Sequence, residues 1–133
     1  MNDSFGYWLA GLIDGEGSFM IGKDKRGVWS NKFTLNLRAD DRAILETIHQ
    51  HLHIGSLYAM APQGTARPQV RWQVFRHADC MELLNFLARH PLRTKKAHDL
   101  RVWREAVLAK DRKERNLIPG LAAKIKEVRS YEE

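Results

Sequence analysis

Glu16 is the residue with the clearest chemical promise. It stands between Gly15 and Gly17, two positions after Asp14, at the end of the apolar run Leu9-Ala10-Gly11-Leu12-Ile13. This pattern predicts a helix from Phe5 to about Asp14, capped at Asp3 or Ser4 and stopped by Gly15 and Gly17 in positive-φ conformations. A carboxylate at a helix C-terminus meets the negative end of the macrodipole and carbonyls without partners. It becomes well placed when a hard divalent cation joins it. Glu16 and the Gly15 carbonyl can supply oxygen ligands, and waters and phosphate oxygens can complete a magnesium shell, with manganese as a substitute. One carboxylate binds such an ion weakly. Two chains packed along Ala10 and Gly11 would bring two Glu16 side chains to a two-fold axis. Gly11 supports this arrangement, because glycine inside a helix costs roughly 1 kcal/mol against alanine and a close helix approach would explain it. On composition alone, a plain turn residue remains the simpler account of Glu16.

The second chemical signal is basic charge. The net charge is +6 and the pI is near 9.7. Six of the cations (Arg89, Arg93, Lys95, Lys96, Arg101 and Arg104) lie in one short stretch with Asp99 as the only acid. Such clustering favours a phosphate-rich partner. Polar alternation is the third signal. In Val28 to Arg38, Phe33, Leu35 and Leu37 point inward while Lys32, Thr34, Asn36 and Arg38 point outward. In Gln69 to Phe75, Val70, Trp72 and Val74 alternate with Gln69, Arg71 and Gln73. Amide and guanidinium groups on a sheet face suit base edges in a DNA groove. Lys23, Lys25, Arg26, Trp29, Asn31, Tyr58, Arg67 and Lys95 extend this candidate nucleic-acid surface.

Other chemistries find little support. No glycine-flanked serine nucleophile or Walker-type loop is present. His49, His51 and His53 alternate on a helix and point different ways. Cys80, the only cysteine, falls on an apolar helical stripe with Leu83, Leu84 and Leu87, so it reads as core, and no intrachain disulfide can form.

The elements that must position these groups follow from periodicity. Ser18 to Lys23 reads as a strand, Asp24 to Gly27 as a turn, and Val28 to Arg38 as the returning strand. Asp40 or Asp41 should cap a helix carrying Ile44, Leu45, Ile48 and Leu52, ended by Gly55. Ser56 to Met60 and Gln69 to Phe75 form a second hairpin around a long polar loop. Asp79 to Glu82 resembles a capping box opening a third helix. Thr94 should cap a fourth helix carrying Ala97, Leu100, Trp103 and Val107. Pro119 suits the first turn of a last helix with Leu121, Ala122, Ile125 and Val128 inward, and the tail from Ser130 to Glu133 should fray. The expected class is α+β, a four-stranded antiparallel sheet with helices on one face.

At 133 residues and 15.4 kDa, a single domain over residues 1–133 is expected, with a core near 4–110 and a helical extension over 111–133. No apolar run has the length of a membrane span, and the first four residues lack the basic region of a secretory signal. The expectation is an intracellular, reducing compartment, cytoplasm or organelle matrix.

Trp8 to Phe19 reads WLAGLIDGEGSF, and this resembles the signature of the LAGLIDADG homing endonucleases at seven of its nine letters, with Gly15 and Glu16 replacing Ala and Asp. Pro91 to Ala97 followed by Trp103 is also similar to single-motif members. The resemblance implies the family fold, α-β-β-α-β-β-α, with a saddle-shaped sheet. It implies a homodimer joined through the motif helices, here Tyr7, Ala10, Gly11 and Asp14. It implies divalent-metal hydrolysis of both strands of a long, pseudo-palindromic DNA site, leaving 3′ overhangs. Glu16 would bind metal beside the Gly15 carbonyl. A supporting lysine falls at Lys96, with Lys95 its neighbour, and Arg38 and Arg42 are the nearest equivalents of the remaining pocket groups. No glutamine stands at the end of the second strand where the family pattern has one. The same family includes RNA-binding intron maturases and cleavage-inactive DNA binders, which are the alternative reading.

Overall fold

The computed structural model describes residues 2–130; of the tail expected to fray, Ser130 is the last helical residue and 131–133 lie outside that range. The order is α1 (Asp3–Glu16), β1 (Gly17–Lys23), β2 (Trp29–Arg38), α2 (Arg42–Leu52), β3 (Ser56–Met60), β4 (Gln69–Val74), α3 (His77–Arg89), α4 (Lys96–Asp111) and α5 (Ile118–Ser130), with 3₁₀ turns at Ala39–Asp41 and Arg115–Leu117. The strands form one antiparallel sheet in the order β1-β2-β4-β3, so the two hairpins join through β2 and β4. This is the expected α+β fold.

Alternation along the strands builds the core. Phe19, Ile21, Phe33, Leu35, Val70, Trp72 and Val74 are buried on one sheet face, against Leu9 and Ile13 of α1, Leu45 and Ile48 of α2, Leu83 and Phe86 of α3, and Trp103 and Val107 of α4. The indole N–H of Trp103 donates to the Met20 carbonyl at 3.1 Å, which satisfies both groups at the outer strand β1. Helix α5 packs on α4 and along β1, and it buries Ile118, Ala122 and Ile125.

Several local expectations change. The cap of α1 is Asn2, whose side-chain oxygen accepts from the Phe5 N–H at 2.9 Å, so Asp3 and Ser4 lie inside the helix. The helix runs through Gly15 to Glu16, and Gly17 is extended at φ −75° and ψ 156°. Gly17 therefore serves close packing and not a left-handed turn. A Cβ there would lie 2.8 Å from both the Ile13 carbonyl and the Phe33 ring. Left-handed backbone ends α2 at His53 (φ 56°), two residues before Gly55 (φ 78°). Asp79 sits within the first turn of α3, whose start is His77, and its carboxylate accepts from the Gly55 N–H at 3.0 Å. No side-chain cap holds the start of α2. Asp24 does the expected turn work: its carboxylate accepts from the Arg26 and Val28 N–H groups, and the Val28 bond above all lowers its pKa.

Candidate nucleic-acid interface and metal site

The site begins with the two faces of α1. Gly6, Leu9, Ala10 and Ile13 are buried against the chain's own core. Ala10 is 3% exposed, so its side chain is spent inside the subunit and does not face a second helix. The opposite face carries Tyr7, Gly11 and Gly15, all exposed, at four-residue spacing. A Cβ built on Gly11 or Gly15 meets nothing within 4 Å. The open stripe is thus Tyr7-Gly11-Gly15, shifted by one helical position from the Ala10-Gly11 face expected from sequence.

Asp14 stands between the two faces and reaches the chain far downstream. Its carboxylate accepts from the Arg93 N–H at 2.8 Å, the Thr94 N–H at 3.1 Å and the Thr94 hydroxyl at 2.8 Å. The Thr94 hydroxyl in turn accepts from the Lys96 N–H at 3.2 Å. Asp14 is therefore a staple within one chain. The staple holds the start of α4, with Lys95 and Lys96, against the last turn of α1. Exposed Glu16 is the final residue of that turn, and the helix-end carbonyls beside it include that of Gly15.

Among the described residues, no three His, Cys, Asp or Glu side chains gather into a metal cluster. One exposed carboxylate and a helix-end carbonyl fit magnesium, which keeps several waters and takes one or two carboxylates together with substrate phosphates. Neither Arg38 nor Arg42 faces this pair in a recorded contact. Arg38 ends β2 and pairs with Asp40 at 3.2 Å; Arg42 opens α2 and turns along that helix to Glu46 at 3.6 Å. The β2–β4 register sets Gln69 directly opposite Arg38. A glutamine thus stands beside the end of β2 after all, supplied by another strand and invisible to a reading of β2 alone.

The polar sheet face forms continuous rows. Arg38, Gln69 and Met60 share one; Asn36, Arg71 and Tyr58 the next; Thr34, Gln73 and Ser56 the third. Beyond these, Lys32 stands beside Met20 of β1. Three candidates leave this face, and Thr34, which keeps its parity, is 4% exposed and so buried within the monomer. Asn31 and Trp29 share the alternation of Phe33 and Leu35, and Lys23 that of Phe19 and Ile21, so they lie on the helix side of the sheet. Asn31 is 4% exposed, and Trp29 packs partly buried against the core with the Lys23 ammonium 5.6 Å from its ring. Counting by twos back from Phe33 would have found this. Lys25 and Arg26 are exposed in the β1–β2 turn, and Arg67 is exposed in the β3–β4 loop. Phe75, which follows β4 in the alternation of Gln73, is an exposed aromatic that the sequence reading passed over. Cys80 is buried, and desolvation pushes its thiol up to about 12, so it is no nucleophile at neutral pH.

No helix among the described residues is long and apolar enough to cross a membrane. Comparison with known proteins agrees with the geometry. The family model described as LAGLIDADG endonuclease matches residues 9–107. The chain is 33% identical over 109 residues to the probable intron-encoded endonuclease Cox1-I1b of Schizosaccharomyces pombe, covering 79% of this chain and 27% of that protein. It is 33% identical over 122 residues to the probable intron-encoded endonuclease 3 of Neurospora crassa, covering 86% and 22% respectively. It thus spans about a quarter of the length of these relatives. Among solved structures, the archaeal intron-encoded homing endonuclease I-Vdi141I complexed with DNA superposes with a TM-score of 0.82 at 22% identity, covering 95% of this chain and 84% of that one. The meganuclease I-AabMI bound to uncleaved DNA gives 0.74 at 28% identity, over 86% and 38%. With the signature helix, the sheet and the matched span in agreement, the chain belongs to the LAGLIDADG endonuclease family.

Proposed function

We propose that this chain is a site-specific, metal-dependent DNA endonuclease that works as a homodimer on a long, pseudo-palindromic site, leaving 3′ overhangs. The observation that carries this reading is the Asp14 staple. It joins the end of the motif helix, where Glu16 is exposed, to the start of α4, where Lys95 and Lys96 are. The staple brings the chain segments that carry this carboxylate, the helix-end carbonyl and the two lysines together.

In this reading the sheet face lies in the major groove. Lys32, Asn36, Arg38, Gln69, Arg71, Gln73 and Tyr58 meet base edges, and Lys25, Arg26 and Arg67 reach backbone phosphates. Glu16 and the Gly15 carbonyl would hold Mg²⁺ or Mn²⁺. When bound, the metal supplies an activated water for in-line attack and neutralises charge on the phosphate. Lys96, with Lys95 beside it, adds positive charge where the phosphorane-like transition state gathers negative charge. Asp14 keeps that lysine pair in place. The open Tyr7-Gly11-Gly15 stripe seats a twin helix, which would set two Glu16 side chains near one axis, one per DNA strand.

The test is selection of bound and cleaved duplexes from a randomised palindromic library in magnesium. Wild type should cleave its selected site, and Glu16→Gln should bind it with similar affinity while cleaving at least about a hundredfold more slowly. A wild-type chain that binds a site yet never nicks it in magnesium or manganese overturns the enzyme reading and leaves a DNA-binding or maturase role.

A further inference from the structure

Arg71, on the polar sheet face, is a cation held in a fixed orientation by an uncharged partner. Arg71 lies in the middle row of that face, between Asn36 of β2 and Tyr58 of β3. Its Nε–H donates to the Asn36 side-chain oxygen at 2.9 Å. That bond fixes the plane of the guanidinium, and the two terminal NH₂ groups take no other recorded partner among the described residues. Other arginines are differently placed. Arg38 at the sheet end pairs with Asp40, Arg26 in the turn with Asp24, and Arg42 with Glu46. In each case a carboxylate cancels much of the charge. An amide partner orients the fork and leaves the charge intact. Arg71 and Asn36 are both half-buried on the sheet, so the pair loses less side-chain freedom on binding than an exposed arginine would.

A rigid fork with two free parallel donors, rising from the middle of a sheet face, matches the O6 and N7 acceptors of one base in the major groove. We infer that Arg71 reads a guanine in each half-site and that Asn36 is its positioning residue. The inference rests on the DNA-binding reading above and adds the identity of one base to it.

The test uses duplexes selected by the wild-type chain from a randomised palindromic library, with binding measured in EDTA so that cleavage plays no part. One guanine should be invariant in each half-site. Replacing it by 7-deazaguanine removes a single acceptor and leaves the backbone untouched. That replacement should weaken wild-type binding about fivefold to a hundredfold. Arg71→Gln should bind the guanine and 7-deazaguanine sites equally. Asn36→Ala keeps the arginine but frees it, so the ratio between the two sites should shrink while binding persists. Because the central measurement alters the DNA, it does not depend on any variant folding. If no guanine position responds to 7-deaza substitution, the inference is overturned. The same follows if Arg71→Gln weakens all sequences uniformly and lowers the salt dependence by about one counterion, the mark of a phosphate contact. If the wild-type chain selects no DNA at all, the underlying reading fails first, and that result is distinct from specific binding without a guanine response.

Discussion

The glycines of α1 and its C-terminal cap divide into two pairs with opposite reasons for being glycine. Gly6 and Gly17 are buried and pressed by their own chain. A Cβ on Gly6 would lie 2.3 to 2.6 Å from the His90 ring, and one on Gly17 would lie 2.8 Å from backbone and aromatic atoms. Gly11 and Gly15 are exposed, and a Cβ on either would meet open space. The first pair is explained by the folded monomer. The second pair has no explanation within it, since a glycine inside a helix is a net cost where nothing crowds it. The same residue type, a few positions apart, thus marks an internal contact on one side of α1 and an open stripe on the other.

The most severe test of this division is to add a methyl group to the crowded pair. Gly6→Ala forces a methyl into a buried ring. His90 has little room to yield, because its nitrogens lie 3.2 Å from the Phe86 carbonyl and 3.3 Å from the Asp3 carboxylate, and the ring stacks on Phe86. Gly17→Ala meets the Ile13 carbonyl, which is backbone. Each should lower stability by about 2–3 kcal/mol in denaturant unfolding without DNA, the range for overpacking a core. A loss below about 0.5 kcal/mol at both positions would erase the distinction between the two pairs.

That distinction was only half legible in the sequence. The helix follows from the apolar run Leu9 to Ile13, but the glycines expected to stop it do not: Gly15 is helical and Gly17 extended. The small-residue argument put Ala10 on the open face beside Gly11. The buried arc actually runs Gly6, Leu9, Ala10, Ile13, and Leu12 is only partly covered. The error arose because small residues carry almost no hydrophobic signal, so their side of the helix must be inferred from neighbours. The role of Gly17 was misread for a related reason. Sequence shows that glycine permits positive φ, but only the packing of Phe33 and Ile13 shows that it is needed for lack of a side chain. Strand faces were easier. The alternation of Phe33, Leu35 and Leu37 fixed the polar face of β2, and the same parity extended backward corrects Trp29 and Asn31. Contacts between distant segments left no local trace: Asp14 to Thr94, Arg71 to Asn36 and Gln69 opposite Arg38 all depend on tertiary register.

Asp14 lies on the border between the crowded and open sides, and it gives a test of intermediate size. Asp14→Ala removes three acceptor contacts to the Arg93–Thr94 segment. That segment is exposed, so water can replace part of what is lost, and stability should fall by about 1–2 kcal/mol. Cleavage measured at a temperature where the variant is fully folded should fall further than this destabilisation explains, mainly in kcat, because Lys95 and Lys96 lose their anchorage beside Glu16. An activity loss that disappears once the folded fraction is restored would reduce Asp14 to a purely structural staple.

The smallest effect on the monomer is expected at Gly11, and it should have the opposite sign. Gly11→Ala replaces glycine by the best helix former at an exposed interior position where the new methyl touches nothing. Monomer stability should therefore rise by about 0.5–1 kcal/mol. If a twin helix packs on this stripe, the same methyl must fit between two backbones, once from each chain. Self-association, followed by analytical ultracentrifugation, should then weaken about tenfold or more, and cleavage of both strands should fall with it. A stabilised variant with weakened association separates the two faces of α1 in one measurement. Gain in stability with unchanged association would place the dimer contact elsewhere, whereas loss of stability would mean that Gly11 belongs with Gly6 and Gly17.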